Sequence, residues 1–125
     1  MSVLTLQEIA TQSGVAFGTS GARGLVTDMT PALCHAYTTA FLLAVSPSVT
    51  HVVLGHDLRP SSPGIAAACA QAVRDLGMEV IYAGALPTPA LALYGAQSGA
   101  PTVVVTGSHI PFDRNGIKFY REDGE

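Results

Sequence analysis

A hydroxyl, an imidazole and an amine fall close together in Thr106-Gly107-Ser108-His109-Ile110-Pro111 and the Asn115-Gly116-Ile117-Lys118 that follows. A serine oxygen is a competent nucleophile once its proton is taken, and an amine or imidazole can move that proton. The segment comes directly after Val103-Val104-Val105. Such a β-branched run suits a strand buried on both faces. Ser108 therefore sits where a strand ends and a loop begins. In open α/β sheets, ligands bind at this carboxyl end of the strands. A Ser-His-Asp hydrolase is a poor fit. There is no Gly-x-Ser-x-Gly around Ser108, and His109 is adjacent in sequence, a spacing at which side chains usually point apart. Taken singly, Ser108 reads as a turn serine and Lys118 as a solvated strand residue.

Phe17-Gly18-Thr19-Ser20-Gly21-Ala22-Arg23-Gly24 is the second notable segment. Its glycines, two hydroxyls and arginine can offer backbone N–H groups and a guanidinium to a phosphate. The spacing is not that of a dinucleotide-binding loop, no clear strand precedes it, and by itself it reads as a tight surface loop. Asp57-Leu58-Arg59-Pro60-Ser61-Ser62 follows another buried run. Asp57 and Arg59 are expected to stabilise that loop at the border of the site. His35 and His51 read as partly buried packing residues. Cys34, His35, His51, His56 and Cys69 show no recognisable metal-ligand spacing.

The elements that position these residues follow from periodicity. Thr30-Pro31 starts a helix, with Leu33, Ala36, Tyr37, Ala40, Phe41 and Ala44 at helical spacing. His51–Gly55 is a short buried strand. Ser62-Pro63 caps a helix that runs to Leu76, and Gly77 closes it in a left-handed conformation. Met78–Tyr82 is a strand. Thr88-Pro89 opens a helix that ends near Gly95 or Gly99. Pro101–Thr106 is the strand before Ser108. Asn115-Gly116 signals a turn, and Ile117–Tyr120 a half-exposed antiparallel edge strand. Strands alternating with helices predict an α/β fold, a three-layer α/β/α sandwich with a mixed, mainly parallel sheet, formed by residues 1–125 as a single domain.

Composition bounds the function. The chain has 125 residues, 48% hydrophobic and only 12% charged, with a mean hydropathy of +0.37. No charged residue occurs from Met29 to His56 or from Val80 to Phe112. Ser46-Pro47-Ser48, Gly84, Pro87 and Pro89 break both stretches, so neither is a membrane span. Such apolar surface suits a domain that meets neighbouring domains of a longer protein. A net charge of −3 without a basic run argues against nucleic acid. The N-terminus carries no signal-peptide pattern, and two buried free thiols, Cys34 and Cys69, suit a reducing cytoplasm.

Together, Phe17–Gly24, Gly55–Ser62 and Thr106–Lys118 are far more specific than any one of them. In order and spacing, across essentially all 125 residues, the chain resembles the N-terminal domain of the α-D-phosphohexomutases, the phosphoglucomutase/phosphomannomutase family. The resemblance implies that Ser108 carries a phosphoryl group in the resting enzyme. Ser108 would pass it to a hexose phosphate and recover a phosphoryl group from the resulting hexose 1,6-bisphosphate. It further implies Lys118 as general acid/base, His109 as a positioning group, and Arg23 with Thr19, Ser20 and Gly21 as phosphate contacts. Mg²⁺ would meet the phosphoryl group on Ser108, its other ligands lying outside these residues. The family pattern is usually Thr-Ala-Ser-His-Asn-Pro, so Gly107 and Ile110 are departures. Overall likeness favours phosphomannomutase over phosphoglucomutase and phosphoglucosamine mutase. Family members have four domains. The expected partners are thus a hexose phosphate and the remaining domains of the same polypeptide, and the 125 residues alone are expected to turn over little or nothing. The readings from other classes are a non-catalytic phosphate-binding module and a purely structural interaction domain.

Overall fold

The fold is seen in a computed structural model that describes residues 16–18, 21–45, 49–85, 88–107 and 113–121. The order of elements is β1 (Ala16–Gly18), β2 (Gly21–Leu25), α1 (Pro31–Val45), β3 (His51–His56), α2 (Ser62–Asp75), β4 (Glu79–Gly84), α3 (Thr88–Ser98), β5 (Thr102–Val105) and β6 (Arg114–Tyr120). The helices begin within a residue of where the caps predict. Leu33 N–H donates to the Thr30 hydroxyl at 3.2 Å, which satisfies one of the donors a helix start leaves free. Gly77 follows α2 with φ +77°.

The six strands form one sheet in the order β1-β2-β6-β5-β3-β4. β3 pairs in parallel with β4 and β5, as strand–helix–strand crossovers require. The other pairings, β1 with β2, β2 with β6 and β5 with β6, are antiparallel. The sheet is mixed, and its parallel part is confined to β3, β4 and β5. Two expectations change here. The Phe17–Gly24 segment is not a free surface loop but a hairpin, and it turns β6 from an edge into an interior strand. Asn115-Gly116 is not a turn; both residues lie inside β6, paired with Gly24 and Arg23. The hairpin carries no apolar alternation that would announce it. It becomes a strand pair because β6 offers it a ladder.

The layers follow from side-chain parity. Val52, Leu54, Val103, Val105, Ala22 and Ile117 point to one face, where they join Cys34, Tyr37 and Leu42 of α1 and Ile65, Cys69 and Val73 of α2. Val53 and Val104 point to the other, against Leu91 of α3. This is the expected α/β/α sandwich. The inner stripe of α1 is Cys34, Tyr37, Thr38 and Leu42, all buried, rather than the alanine-rich stripe that spacing alone suggests. Phe41 stacks on Phe119 with ring centroids 4.7 Å apart.

Gly95 lets α3 approach β5. A Cβ there would lie 1.9 Å from the Thr102 hydroxyl. Gly→Ala in a helix normally stabilises by roughly 1 kcal/mol. Here overpacking reverses the sign, and Gly95→Ala is expected to cost about 1–3 kcal/mol. The Thr102 hydroxyl is buried without a hydrogen-bond partner among the described residues. Thr102→Ala in the same chain should therefore recover part of the loss, as read by denaturant melts of the single and double variants.

Candidate active site

The carboxyl ends of β3 and β5 lie side by side, because these strands are parallel neighbours. Beyond β5, Thr106 and Gly107 stay buried. Ser108 and His109 come next in the chain and lie outside the described residues, as do Thr19 and Ser20 between β1 and β2. What the structure does show is how the approach to Ser108 is held.

It is clamped from both sides. Thr106 N–H donates to Gly116 O on β6 at 2.9 Å, and Asp57 N–H donates to Val105 O at 2.9 Å. Gly107 N–H donates to Asp57 Oδ2 at 2.9 Å. Asp57 Oδ1 accepts the Arg59 N–H at 3.1 Å, a local turn closed by the aspartate. It also accepts the Ser62 hydroxyl. Partial burial works to raise the Asp57 pKa. The hydrogen bonds from Ser62, the Gly107 and Arg59 N–H groups and Thr106 outweigh it, and hold the carboxyl below its ordinary 3.8.

Arg59 completes the clamp. Its side chain is 6% exposed, and its guanidinium pairs with Asp57 at 3.3 Å and donates from Nη1 to Arg114 O at 3.3 Å. A Cβ at Gly107 would stand 2.1 Å from Arg59 Nε, so the hydrogen at this position is what allows the guanidinium to lie flat on the chain. The expected loop-stabilising role of Asp57 and Arg59 is thus seen directly, in contact with the residue preceding Ser108.

Asn115 and Ser62 belong to the same cluster, and sequence reasoning missed both. Asn115 is fully buried. Its Nδ2 donates to Ser61 Oγ at 2.8 Å and to Ser62 Oγ at 2.9 Å, while its Oδ1 accepts the Gly116 N–H at 2.8 Å. Ser62, expected as a helix cap, instead spends its hydroxyl on Asp57. Ser61 holds the cap position without a side-chain cap bond. The paired serines ahead of Pro63 are the one signal in the sequence that pointed here.

Arg23 and Lys118 lie on one face of the sheet. Ala22 and Ile117 are partners that face α1 and α2, so Arg23 faces the opposite way, as does Lys118 paired with Val104. α3 packs over β3 and β5 on that side. Gly116, the cross-strand partner of Arg23, leaves room for the arginine stem, since a Cβ there would be 3.2 Å from Arg23 Cγ. Among the described residues, neither cation is paired with a carboxylate. Gly21 opens β2 beside them. Two of the predicted cations are therefore brought together beside Thr106, with charge left for an anion.

The other candidates lie elsewhere. His35 joins α1 to α2 through Asp75 at 2.7 Å, and the Asp75 carboxyl is lowered by that hydrogen bond and by one from Gln71. His51 is exposed rather than packed, and sits 3.2 Å from Glu79. His56 Nδ1–H donates to Asp57 O at 2.7 Å, and Nε2 meets the Tyr82 hydroxyl. Cys34 and Cys69 are free and buried. Burial pushes their thiols up to about 11 and about 12, which leaves them unreactive at neutral pH. Among the described residues, no group of three or more His, Cys, Asp or Glu could hold a metal ion. Asp57, the carboxylate nearest the clamp, is fully engaged. No described helix is long and apolar enough to cross a membrane.

Fold and site thus define an α/β/α domain whose sheet presents a clamped strand exit beside two cations that pair with no carboxylate among the described residues. The phosphoglucomutase/phosphomannomutase alpha/beta/alpha domain I matches residues 14–125, and the chain belongs to that family. It is 50% identical over 99% of its length to a phosphomannomutase of Salmonella muenchen, covering 26% of that protein. It is 52% identical over 90% of its length to a phosphomannomutase of Sinorhizobium fredii, covering 25% of it. Identity to a phosphoglucosamine mutase of Desulforudis audaxviator is 37%, over 89% of this chain and 26% of that protein. A crystal structure of a phosphoglucomutase/phosphomannomutase family protein from Burkholderia thailandensis superposes with a TM-score of 0.74 at 29% identity, over 86% of this chain and 26% of that one. The chain therefore spans about a quarter of the length of these relatives.

Proposed function

We propose that residues 1–125 form the phosphoserine-bearing domain of a phosphomannomutase, working with further domains of the same polypeptide. One observation carries the choice of activity: identity to phosphomannomutases is 50% and 52%, against 37% to a phosphoglucosamine mutase of similar coverage. In this reading Ser108 Oγ carries a phosphoryl group that moves to the free hydroxyl of a hexose phosphate. The P–Oγ bond breaks as a new P–O bond forms. Lys118 accepts the sugar proton, the freed Ser108 Oγ takes up one proton in exchange, and Arg23 holds the phosphate already on the sugar. The hexose 1,6-bisphosphate so formed turns over and returns its other phosphoryl group to Ser108. Thr19, Ser20 and Gly21 contribute contacts to the sugar's phosphate, and His109 positions the transferred group.

The clamp on Gly107 and the uncommitted charge of Arg23 and Lys118 support this reading. Phosphoryl transfer depends on fixed geometry and on cations facing spread negative charge. Mg²⁺ would supply further charge, held mainly by residues beyond these 125; the described residues make no metal centre of their own, and no step above runs through it. The free thiols support a reducing compartment, the cytoplasm. By itself the 125-residue chain is expected to be inactive or nearly so, since three quarters of the relatives' length lies outside it.

Phosphopeptide mapping tests the reading. The full-length product is examined before and after incubation with a hexose 1,6-bisphosphate. Phosphate on Ser108 that is lost to mannose 6-phosphate is the expected result. A Ser108 that stays unmodified in a chain that still binds phosphate identifies a binding module instead.

A further inference from the structure

We infer that Asn115 and Ser62 are positioning residues that hold the Lys118 strand and the entry to the Ser108 loop in one fixed relation, with Asp57 as the link between them. The inference rests on the mutase reading above and extends it to residues that touch no substrate.

The chain of contacts is continuous. Asn115 Nδ2 donates to Ser62 Oγ at 2.9 Å. The Ser62 hydroxyl donates to Asp57 Oδ1. Asp57 Oδ2 accepts the Gly107 N–H at 2.9 Å. One end of this relay lies on β6, on the strand that carries Lys118. The other end is the residue before Ser108. Every link is directional, and two of its three side chains, Asn115 and Ser62, are completely buried. Apolar residues of like size would fill that space at lower desolvation cost. A buried polar chain with each donor used instead fixes orientation. The orientation fixed here is that of a backbone N–H beside the nucleophile relative to the strand bearing the acid/base. β5 and β6 are joined by a segment that is long for a hairpin, so their ladder alone does not set where the loop leaves Gly107. The Asp57 carboxylate does, and Ser62, itself held by Asn115, shares with the Arg59 N–H and guanidinium in fixing where that carboxylate points.

The test uses the full-length product with mannose 1-phosphate as substrate. Ser62→Ala and Asn115→Ala are each expected to lower kcat about ten- to a hundredfold, with KM changed by about twofold or less. Because the two act in one relay, the double variant should be little worse than the poorer single one. Ser62→Thr, which restores the hydroxyl, should recover most of kcat. Melting temperature is followed in parallel, and kcat is expressed per natively folded protein. An unchanged kcat in folded Ser62→Ala and Asn115→Ala overturns the inference, as does a loss in the double variant equal to the product of the single losses. Failure of Ser62→Thr to recover beyond Ser62→Ala also overturns it. Turnover that survives Ser108→Ala overturns the mutase reading itself, and this inference with it.

Discussion

Ser108→Ala is expected to abolish the interconversion of mannose 1- and 6-phosphates by the full-length product. The loss should be on the order of 10⁴-fold or more in kcat, the scale seen when a covalent nucleophile is removed. The size follows from the route. Without Oγ there is no carrier for the phosphoryl group, and the alternative is direct attack by water or by a second sugar that nothing holds in line. Binding should be affected far less. Arg23 and Lys118 keep their places on β2 and β6 whatever stands at position 108, because the register of Ala22 with Ile117 sets them. Isothermal titration with mannose 6-phosphate should thus find affinity within about tenfold of the parent while turnover is lost, the pattern of a group that acts only in the transition state. Turnover within a hundredfold of the parent would remove Ser108 from the mechanism.

Asp57→Ala is expected to have the largest effect on stability among the residues near the site. It leaves the Gly107 N–H without its acceptor and the nearly buried Arg59 guanidinium without its carboxylate. Removing one partner of a buried charged pair costs about 3–5 kcal/mol. Asp57 is 26% exposed, so water relieves some of that, and about 2–4 kcal/mol is expected. Urea melts at pH 7 check it. The same carboxylate makes a pH prediction. Its folded pKa lies below the ordinary 3.8, so the unfolded chain binds the proton more readily. The stabilisation is complete above that ordinary value and is lost as pH falls through the lower folded one. Parent stability should therefore decline below about pH 4 more steeply than that of Asp57→Asn. The exposed Asp75 acts in the same direction through His35, and an exposed pair of this kind adds little. Parallel acid profiles for parent and Asp57→Asn would show that Asp57 does not carry this contribution.

Much of the fold was legible along the chain. The helix starts at Thr30-Pro31 and near Ser62-Pro63, the left-handed Gly77 and the buried valines of β5 are local features, encoded in a few neighbouring residues. The order of helices and strands then left few ways to make layers. For the candidate site, the sequence proposed the reactive residues, whose types announce chemistry at close spacing. Its supports were not legible. Asn115-Gly116 looks like a turn because that dipeptide suits one. It lies in a strand because β2 and β5 flank it, and its amide reaches serines more than fifty residues away in sequence. Ser62 looks like a cap for the same local reason; its hydroxyl goes instead to Asp57, five residues earlier, and its other partner, Asn115, is brought to it only by the tertiary fold. The alanine-rich α1 has apolar residues on several sides. Which side is buried was decided by α2 and the sheet.

By itself, then, the sequence determined the α/β/α layering and the strand exit that precedes Ser108, and it proposed a set of groups to handle a phosphate, because periodicity, capping and side-chain chemistry are properties of short segments. Only the tertiary structure decided that Phe17–Gly24 is a hairpin, that β6 lies inside the sheet with Arg23 and Lys118 on one face, and that Asp57, Arg59, Ser62 and Asn115 converge on Gly107. Those outcomes depend on hydrogen bonds between backbone and side-chain groups far apart in the chain. Such groups have no preferred partner until packing excludes water and leaves each of them a single one.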